Sequence, residues 1–400
     1  MAWIGLLGSK AVAGVGVGGM FTWLSQGLAA MARMGGQVQV AQCIGRGERD
    51  RAHGFAQAAV QLATLMGMAY AVISLLFTRQ MVAFFQLTDP EAQTAALSYT
   101  KIACGLIVFS FLTLTMTGLY TAQGDSKTPF LANLIGLITN MILDPVLILG
   151  PGPFPKLGVV GAAIATVTAQ AIVMTMMILG VIIQKKENVL KGIRLTAKIP
   201  KEYLGGLCRI GIPTAIQGMA YCAISMVLTR FVAVWGDAAV AVQRVGSQIE
   251  SISWMTADGF AASINSFAGQ NFGGKRYDRV QKGYFVAAAC MFVWGTFCSF
   301  LLIFGAQPIF RLFIQETDVI PMGVQYLTVL GLSQMFMCIE SMTVGALSGI
   351  GKTFLSSIIS ISLTSARVPL AFLLQRTPLG LNGVWWALSL TSVAKGIIFF

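Results

Sequence analysis

Charge is what this sequence has least of. Only 10% of its 400 residues are Asp, Glu, Lys or Arg, where soluble chains carry about a quarter. There is a single His, His53, in a charged stretch that reads as a loop, which excludes a multi-histidine metal centre and a conventional Ser/His or Cys/His hydrolase. The seven Cys (Cys43, Cys104, Cys208, Cys222, Cys290, Cys298, Cys338) are odd in number, scattered and without a C-x-x-C pair. They read as inert thiols in apolar runs, not as a metal or redox site. No polar stretch is long enough to fold alone, so a large extramembrane catalytic domain is excluded. What is abundant is apolar: 56% of the residues, with a mean hydropathy of +0.76. A chain of this kind is solvated by lipid and is not expected to be an enzyme.

The net charge of +12 comes from 27 Lys and Arg against 15 Asp and Glu, and its placement excludes nucleic-acid binding. A span needs about 20 mostly apolar residues, and candidates fall at 11–40, 55–85, 95–122, 130–150, 158–184, 204–235, 238–270, 282–308, 320–348, 354–375 and 380–400. Alternate connections are basic: Arg46, Arg49 and Arg51; Lys127; Lys185, Lys186, Lys191, Arg194, Lys198 and Lys201; Lys275, Arg276, Arg279 and Lys282; Lys352. The intervening ones are poor in base: Thr88-Asp89-Pro90-Glu91, Gly150-Pro151-Gly152-Pro153, Trp235-Gly236-Asp237, Glu316-Thr317-Asp318 and Arg376-Thr377-Pro378. The positive-inside rule puts the basic set in the cytoplasm and the first residue outside.

An internal repeat underlies this pattern. At an offset of 228, Gly8 and Ala11-Val12-Ala13 align with Gly236 and Ala239-Val240-Ala241, and Val17-Gly18 with Val245-Gly246. Gln42, Gly45 and Asp50-Arg51 meet Gln270, Gly273 and Asp278-Arg279 at the same offset. Tyr99 meets Tyr326 at offset 227, Gly124 with Lys127-Thr128 meets Gly349 with Lys352-Thr353 at 225, and Leu157-Gly158 meets Leu379-Gly380 at 222. The chain is a tandem duplication whose units run in the same direction, a parallel repeat. The span at 204–235 has no counterpart after Met1, and the end of the last span maps past Phe400. The expectation is eleven spans of a protein with about twelve, six per repeat, cut at both ends; the alternative is a true eleven-span protein. The lobes expected are 1–185 and 204–400, with a cytoplasmic linker at 186–203.

Ionisable groups inside spans are expensive and mark coupling sites by default. The clearest is Asp144, four residues after Asn140 and therefore on the same helix face, with Pro145 removing a backbone donor just beyond. Such a carboxylate either takes up a cation or proton, or serves as an interhelical hydrogen-bond acceptor that only joins helices. In the second unit Gln243, Arg244, Gln248, Glu250, Asp258, Asn265, Gln270 and Asn271 give one span a polar face, with Glu250 and Asp258 about two turns apart on one side. Glu340, Arg230 and Arg367 complete the intramembrane set, for which a structural pairing is as good a reading as a functional one. Gly351-Lys352-Thr353 resembles the tail of a phosphate-binding loop, but Ala346 stands where that loop needs its first Gly. Gly14-x-x-x-Gly18 is a helix-packing pattern.

Several stretches together resemble the multidrug and toxic-compound extrusion (MATE) family, in its bacterial form. They are Gly8 to Gly18 with Gln42-x-x-Gly45, Asn140 to Pro145, Gly161 to Thr166, and Val245 to Ser251 through Gly259-Phe260 to Gly269-Gln270-Asn271-Phe-Gly273. The resemblance implies an all-α integral membrane fold of two pseudo-symmetric six-helix lobes, in a monomer of the plasma membrane. It implies a secondary active antiporter that exchanges H+ or Na+ for organic, often cationic, compounds, with no resident cofactor. Asn140, Asp144 and Thr166 match the family's first-lobe cation site, with Na+ at Asp144 and Asn140 as one option; that site's other acidic residue is expected just before Met1. In the second lobe Glu340 lies about one turn from the expected carboxylate, and the span at 204–235 carries Gln217 and no Glu in its apolar stretch. The rival readings are a lipid-linked oligosaccharide flippase of related fold and, from another class, a non-transporting membrane scaffold.

Overall fold

Among the residues described by the computed structural model (2–85, 87, 89–150, 155–183, 188–313 and 319–400), every regular element is a helix. Thr88, Pro151, Gly152, Pro153, Lys185, Lys186, Glu316, Thr317 and Asp318, named above in the connections, lie outside them, as does the expected boundary at 185. In chain order the helices are α1 (Ala2–Gly5), α2 (Ser9–Arg46), α3 (Arg49–Ala83), α4 (Pro90–Gly105), α5 (Val108–Ala122), α6 (Lys127–Leu149), α7 (Val159–Ile183) and α8 (Lys201–Ala233). They continue as α9 (Asp237–Gly273), α10 (Tyr277–Phe304), α11 (Ala306–Arg311), α12 (Ile320–Gly331), α13 (Gln334–Gly349), α14 (Thr353–Ser365), α15 (Arg367–Leu374) and α16 (Leu381–Phe399).

Each expected span coincides with a helix or a helix pair, but fewer of them are apolar enough to cross a membrane by composition alone. Six are, or up to 8 when the bent pairs α4/α5 and α12/α13 are each taken as one span. The shortfall falls on α2, α9 and α16, which carry Gly, Gln, Ser, Thr and charged residues among their apolar ones. These helices spend part of their surface on polar side chains that lipid could not solvate, and two of them supply the second site described below.

The chain divides into two compact units, Met1–Ala215 and Ile216–Phe400, at a point inside α8. In the first unit Tyr120, Leu119, Phe55, Met177 and Leu207 form the largest core cluster. The start of α8 belongs there because Gly206 and Gly211 pack against Phe55 and Met31, and Tyr203 meets Phe55 edge-on at 4.8 Å. In the second unit the core centres on Trp385, Phe310, Tyr326 and Leu327. Trp385 is fully buried and meets Tyr326 edge-on at 5.1 Å, an arrangement favoured by the ring quadrupoles.

The duplication is written in the backbone. Gly8 (φ 103, ψ 167) precedes α2 and Gly236 (φ 99, ψ 170) precedes α9, both in a region open essentially to Gly alone. Gly158 (φ 56) and Gly380 (φ 54) repeat the same agreement near α7 and α16. The α4/α5 and α12/α13 pairs are both bent by 47°. Gly18 on α2 packs against Tyr99, and Gly246 on α9 against Tyr326, with no room for a Cβ in either place. The register shifts at one point: the glycine with left-handed φ that matches Gly124 (φ 83) is Gly351 (φ 85), whereas Gly349 is helical.

Charge sorts to opposite ends of α2, which at 38 residues is roughly 57 Å long at 1.5 Å per residue. At its start Lys10 Nζ pairs with Asp89 (2.9 Å) and Glu91 (3.0 Å) of the α3–α4 connection. Asp89 also caps α4, its Oδ1 accepting from the Glu91 amide at 2.8 Å, with Pro90 in the first turn. Burial is negligible there, and the hydrogen bond from Lys10 holds the Asp89 carboxyl below the usual carboxylate range. At the other end Arg51 bridges Glu48 (3.3 Å) and Glu202 (2.8 Å). His53 is not in a loop. It lies in the first turns of α3, where its Nδ1 is 2.8 Å from the Val189 carbonyl of the connection to α8. Gln61 donates to the Arg194 and Ala197 carbonyls of that same connection, at 2.7 and 3.0 Å.

Candidate functional site

Among the described residues each unit has a polar cluster inside its apolar helices, and the two differ in kind. The first is built on α6, where a four-residue spacing brings Asn140 and Asp144 to one face and Asn140 Nδ2 donates to Asp144 Oδ1 at 3.4 Å. Both side chains are half-buried. α6 runs through Pro145 without a break, so the loosening expected there reduces to one backbone carbonyl, that of Met141, left without its helical donor. α7 approaches closely because Gly161 lies against the Leu147 carbonyl. That approach carries Thr166, whose Oγ1 also donates to the Ala162 carbonyl at 2.9 Å. Tyr99, 9% exposed on α4, lies near Thr166 and interacts electrostatically with Asp144. Tyr99, which the sequence marked only as a repeat position, thus relates Thr166 on α7 to Asp144 on α6. The cluster is a carboxylate bonded to one amide, with the Tyr99 and Thr166 hydroxyls on neighbouring helices, oxygen chemistry of the kind that hard cations and protons favour.

The second cluster contains charges of both signs. Glu250 on α9 accepts from Gln334 Nε2 of α13 at 3.4 Å and lies near Tyr326 of α12, while Ser253 donates to Gln334. Glu340, one turn and a half further along α13, pairs with Lys395 of α16 at 2.9 Å. Glu340 and Lys395 are 8% and 5% exposed. Arg367, at the start of α15, donates to Thr391 Oγ1 and Ser392 Oγ, each at 2.9 Å. It interacts electrostatically with both Glu250 and Lys395, so it links the two carboxylate groups into one network. Removing one member of a buried pair costs about 3–5 kcal/mol, because the other charge is left uncompensated.

The remaining candidates do not join these clusters. Asp258 is exposed on α9, because eight residues at 3.6 per turn leave it about 80° around the helix from Glu250. Arg244 is also exposed, and Arg230 lies exposed in the last turn of α8 and not in mid-span. Gln217 accepts from Ser357 Oγ at 3.0 Å, tying α8 to α14. Of the residues that form the second site, Lys395, Gln334, Thr391 and Ser392 were not expected. A lone Lys deep in an apolar run was the signal for Lys395; the others are common polar residues with no distinguishing pattern.

Comparison with known proteins agrees with this architecture. A family model described as MatE matches residues 1–146 and 213–373. A probable multidrug resistance protein NorM of Thermotoga maritima is 27% identical over 393 residues, spanning 96% of this chain and 82% of that protein. The probable multidrug resistance protein YoeA of Bacillus subtilis is 28% identical over 356 residues, spanning 88% and 76%. A solved structure of a MOP superfamily transporter from Pyrococcus furiosus superposes with a TM-score of 0.91 over 100% of this chain and 88% of that one. Its 22% identity makes that a likeness of fold, and its description states that reverse polarity of its binding pocket suggests a different function. With two like-ordered helical units, buried polar clusters inside them and the family model matched across both, the chain belongs to the MatE family of multidrug efflux transporters, multi-pass proteins of the cell membrane.

Proposed function

We propose that this protein is a secondary active exporter that exchanges H+ or Na+ for organic, often cationic, compounds by alternating access. The observation that carries the reading is the Asp144 cluster: an ionisable group with Asn140, Tyr99 and Thr166 around it, at a depth where a carboxylate without a purpose is selected against. Cation uptake at Asp144 changes the hydrogen bonding of α4, α6 and α7 together. A state that binds the cation well then binds the organic substrate less well, and by reciprocity substrate binding expels the cation. The flippase reading needs several Arg converging on a pyrophosphate. Arg230 and Arg244 are exposed, and Arg367 already donates to Thr391 and Ser392, which favours the exporter.

The test is counterflow of a fluorescent cationic dye in vesicles, with the proton and sodium gradients collapsed separately. Collapse of one gradient should abolish dye accumulation and thereby name the ion. Accumulation that survives both collapses would remove the antiport reading.

A further inference from the structure

The ion pair between Glu340 and Lys395 has no part in the exchange proposed for Asp144, and its setting is unusual in three ways. Its two partners are almost wholly buried, on α13 and α16. Its two helices carry hydroxyls within a turn of it: Thr391 and Ser392, which accept from Arg367, precede Lys395, and Thr343, 4% exposed and 3.0 Å from Tyr284 Oη, follows Glu340. A second cation lies near it, since Arg367 interacts electrostatically with both Lys395 and Glu250. Oxygen donors around a carboxylate are the chemistry of a hard-cation site. Here the cation present is an ammonium on a side chain.

The duplication shows that the fold does not require this pair. Glu250 aligns with Thr22 at offset 228, Lys395 with Val173 at 222, and Glu340 with a position among Thr113, Leu114 and Thr115 at offsets of 225 to 227. The first unit therefore builds the corresponding helices, α2, α5 and α7, with no charge at any of these places. Its own carboxylate is elsewhere: when Pro145 is matched to Pro369, Asp144 falls on Val368, beside the cation Arg367.

We propose that the Lys395 ammonium is a covalently tethered occupant of a monovalent-cation site built on Glu340, and that its removal opens this site to a free alkali cation. The second unit then keeps its site permanently filled, and a transported ion has no place there while Lys395 is present.

The test is thermal unfolding of the purified chain in detergent, titrated with NaCl, KCl or LiCl against choline chloride at constant ionic strength. Lys395→Ala and the bulkier Lys395→Gln should each melt below the wild type in choline and regain several degrees, saturably, with at least one alkali cation. The wild type and the double variant Glu340→Gln/Lys395→Met, which removes both charges together, should show only a response equal in the two, set by the untouched Asp144 cluster and smaller than that of the single variants. The proposal is overturned if the single variants respond no more than the wild type, or if the double variant responds as much as they do. It is also overturned if both single variants fail to fold in every salt while the double variant folds, because the pair is then purely structural.

Discussion

Asp144→Asn is the sharpest perturbation of the proposed exchange, because it removes a charge and very little else. The side chains are isosteric, and Asn140 Nδ2, 3.4 Å from Asp144 Oδ1, can still donate to the amide oxygen that replaces it. A hydrogen bond to a charged group contributes about 1.5–3 kcal/mol and a neutral one about 0.5–1.5, so the local loss is about 1 kcal/mol. At 3.4 Å the bond is at the weak end of that range. The driving force at stake is larger. One elementary charge moving through roughly 150 mV carries about 3.5 kcal/mol. That sustains a substrate gradient of about 300-fold, at about 1.4 kcal/mol per factor of ten. In vesicles with an imposed ion gradient, Asp144→Asn should bring a cationic dye to equal concentrations on both sides, while its melting temperature stays within a few degrees of the wild type. The reasoning fails if the folded variant still concentrates dye more than about thirtyfold, since no exchange through Asp144 would then be needed for most of that drive.

Trp385→Ala should lower stability by about 3–5 kcal/mol, the range for emptying a fully buried aromatic site, with loss of the edge-on contact to Tyr326 included. A drop below about 1 kcal/mol in detergent unfolding would mean that the core of the second unit is not centred there. Gly8→Ala and Gly236→Ala should cost about 1–3 kcal/mol each, and nearly the same as each other. A Cβ at either position meets nothing within 4 Å, so backbone strain is the whole effect; a difference of more than about 1 kcal/mol between the two would contradict their equivalence. The Asp89 carboxyl is held below its ordinary range chiefly by the hydrogen bond from Lys10, so it favours the folded state above its unfolded value and loses that contribution as pH falls through its depressed one. Lys10→Met should return its titration, followed by NMR, toward the ordinary carboxylate range, and should leave stability unchanged below it.

What the sequence could and could not convey follows from the range over which its signals act. The repeat, the helices and the pairing of Asn140 with Asp144 depend on spacing along one stretch of chain, so they were legible. Tyr99 and Tyr326 were aligned as repeat partners, yet their contacts with Thr166 and Glu250 join helices far apart in sequence. Lys395 and Glu340 meet across α13 and α16, and no spacing rule within one helix can pair them. Arg244 and Asp258 show the opposite difficulty. They lie on the same long helix as Glu250, but its rotation turns them outward, about 120° and 80° away. His53 entered α3 instead of a loop because helices here extend past their apolar stretches into the basic connections, where Val189 offers it a carbonyl.

The matched glycines at 8 and 236, and again at 158 and 380, give the two halves identical cut points. A segment running from Gly8 to Gly158 and one running from Gly236 to Gly380 begin at glycines of φ 103 and 99 and end at glycines of φ 56 and 54. Either could be grafted in place of the other without inventing a new joint. Chimeras made at these glycines would part Asp144 from Thr166 and Glu340 from Lys395, since Thr166 and Lys395 lie on the helices beyond the second joint, and would show how far each cluster depends on its last helix.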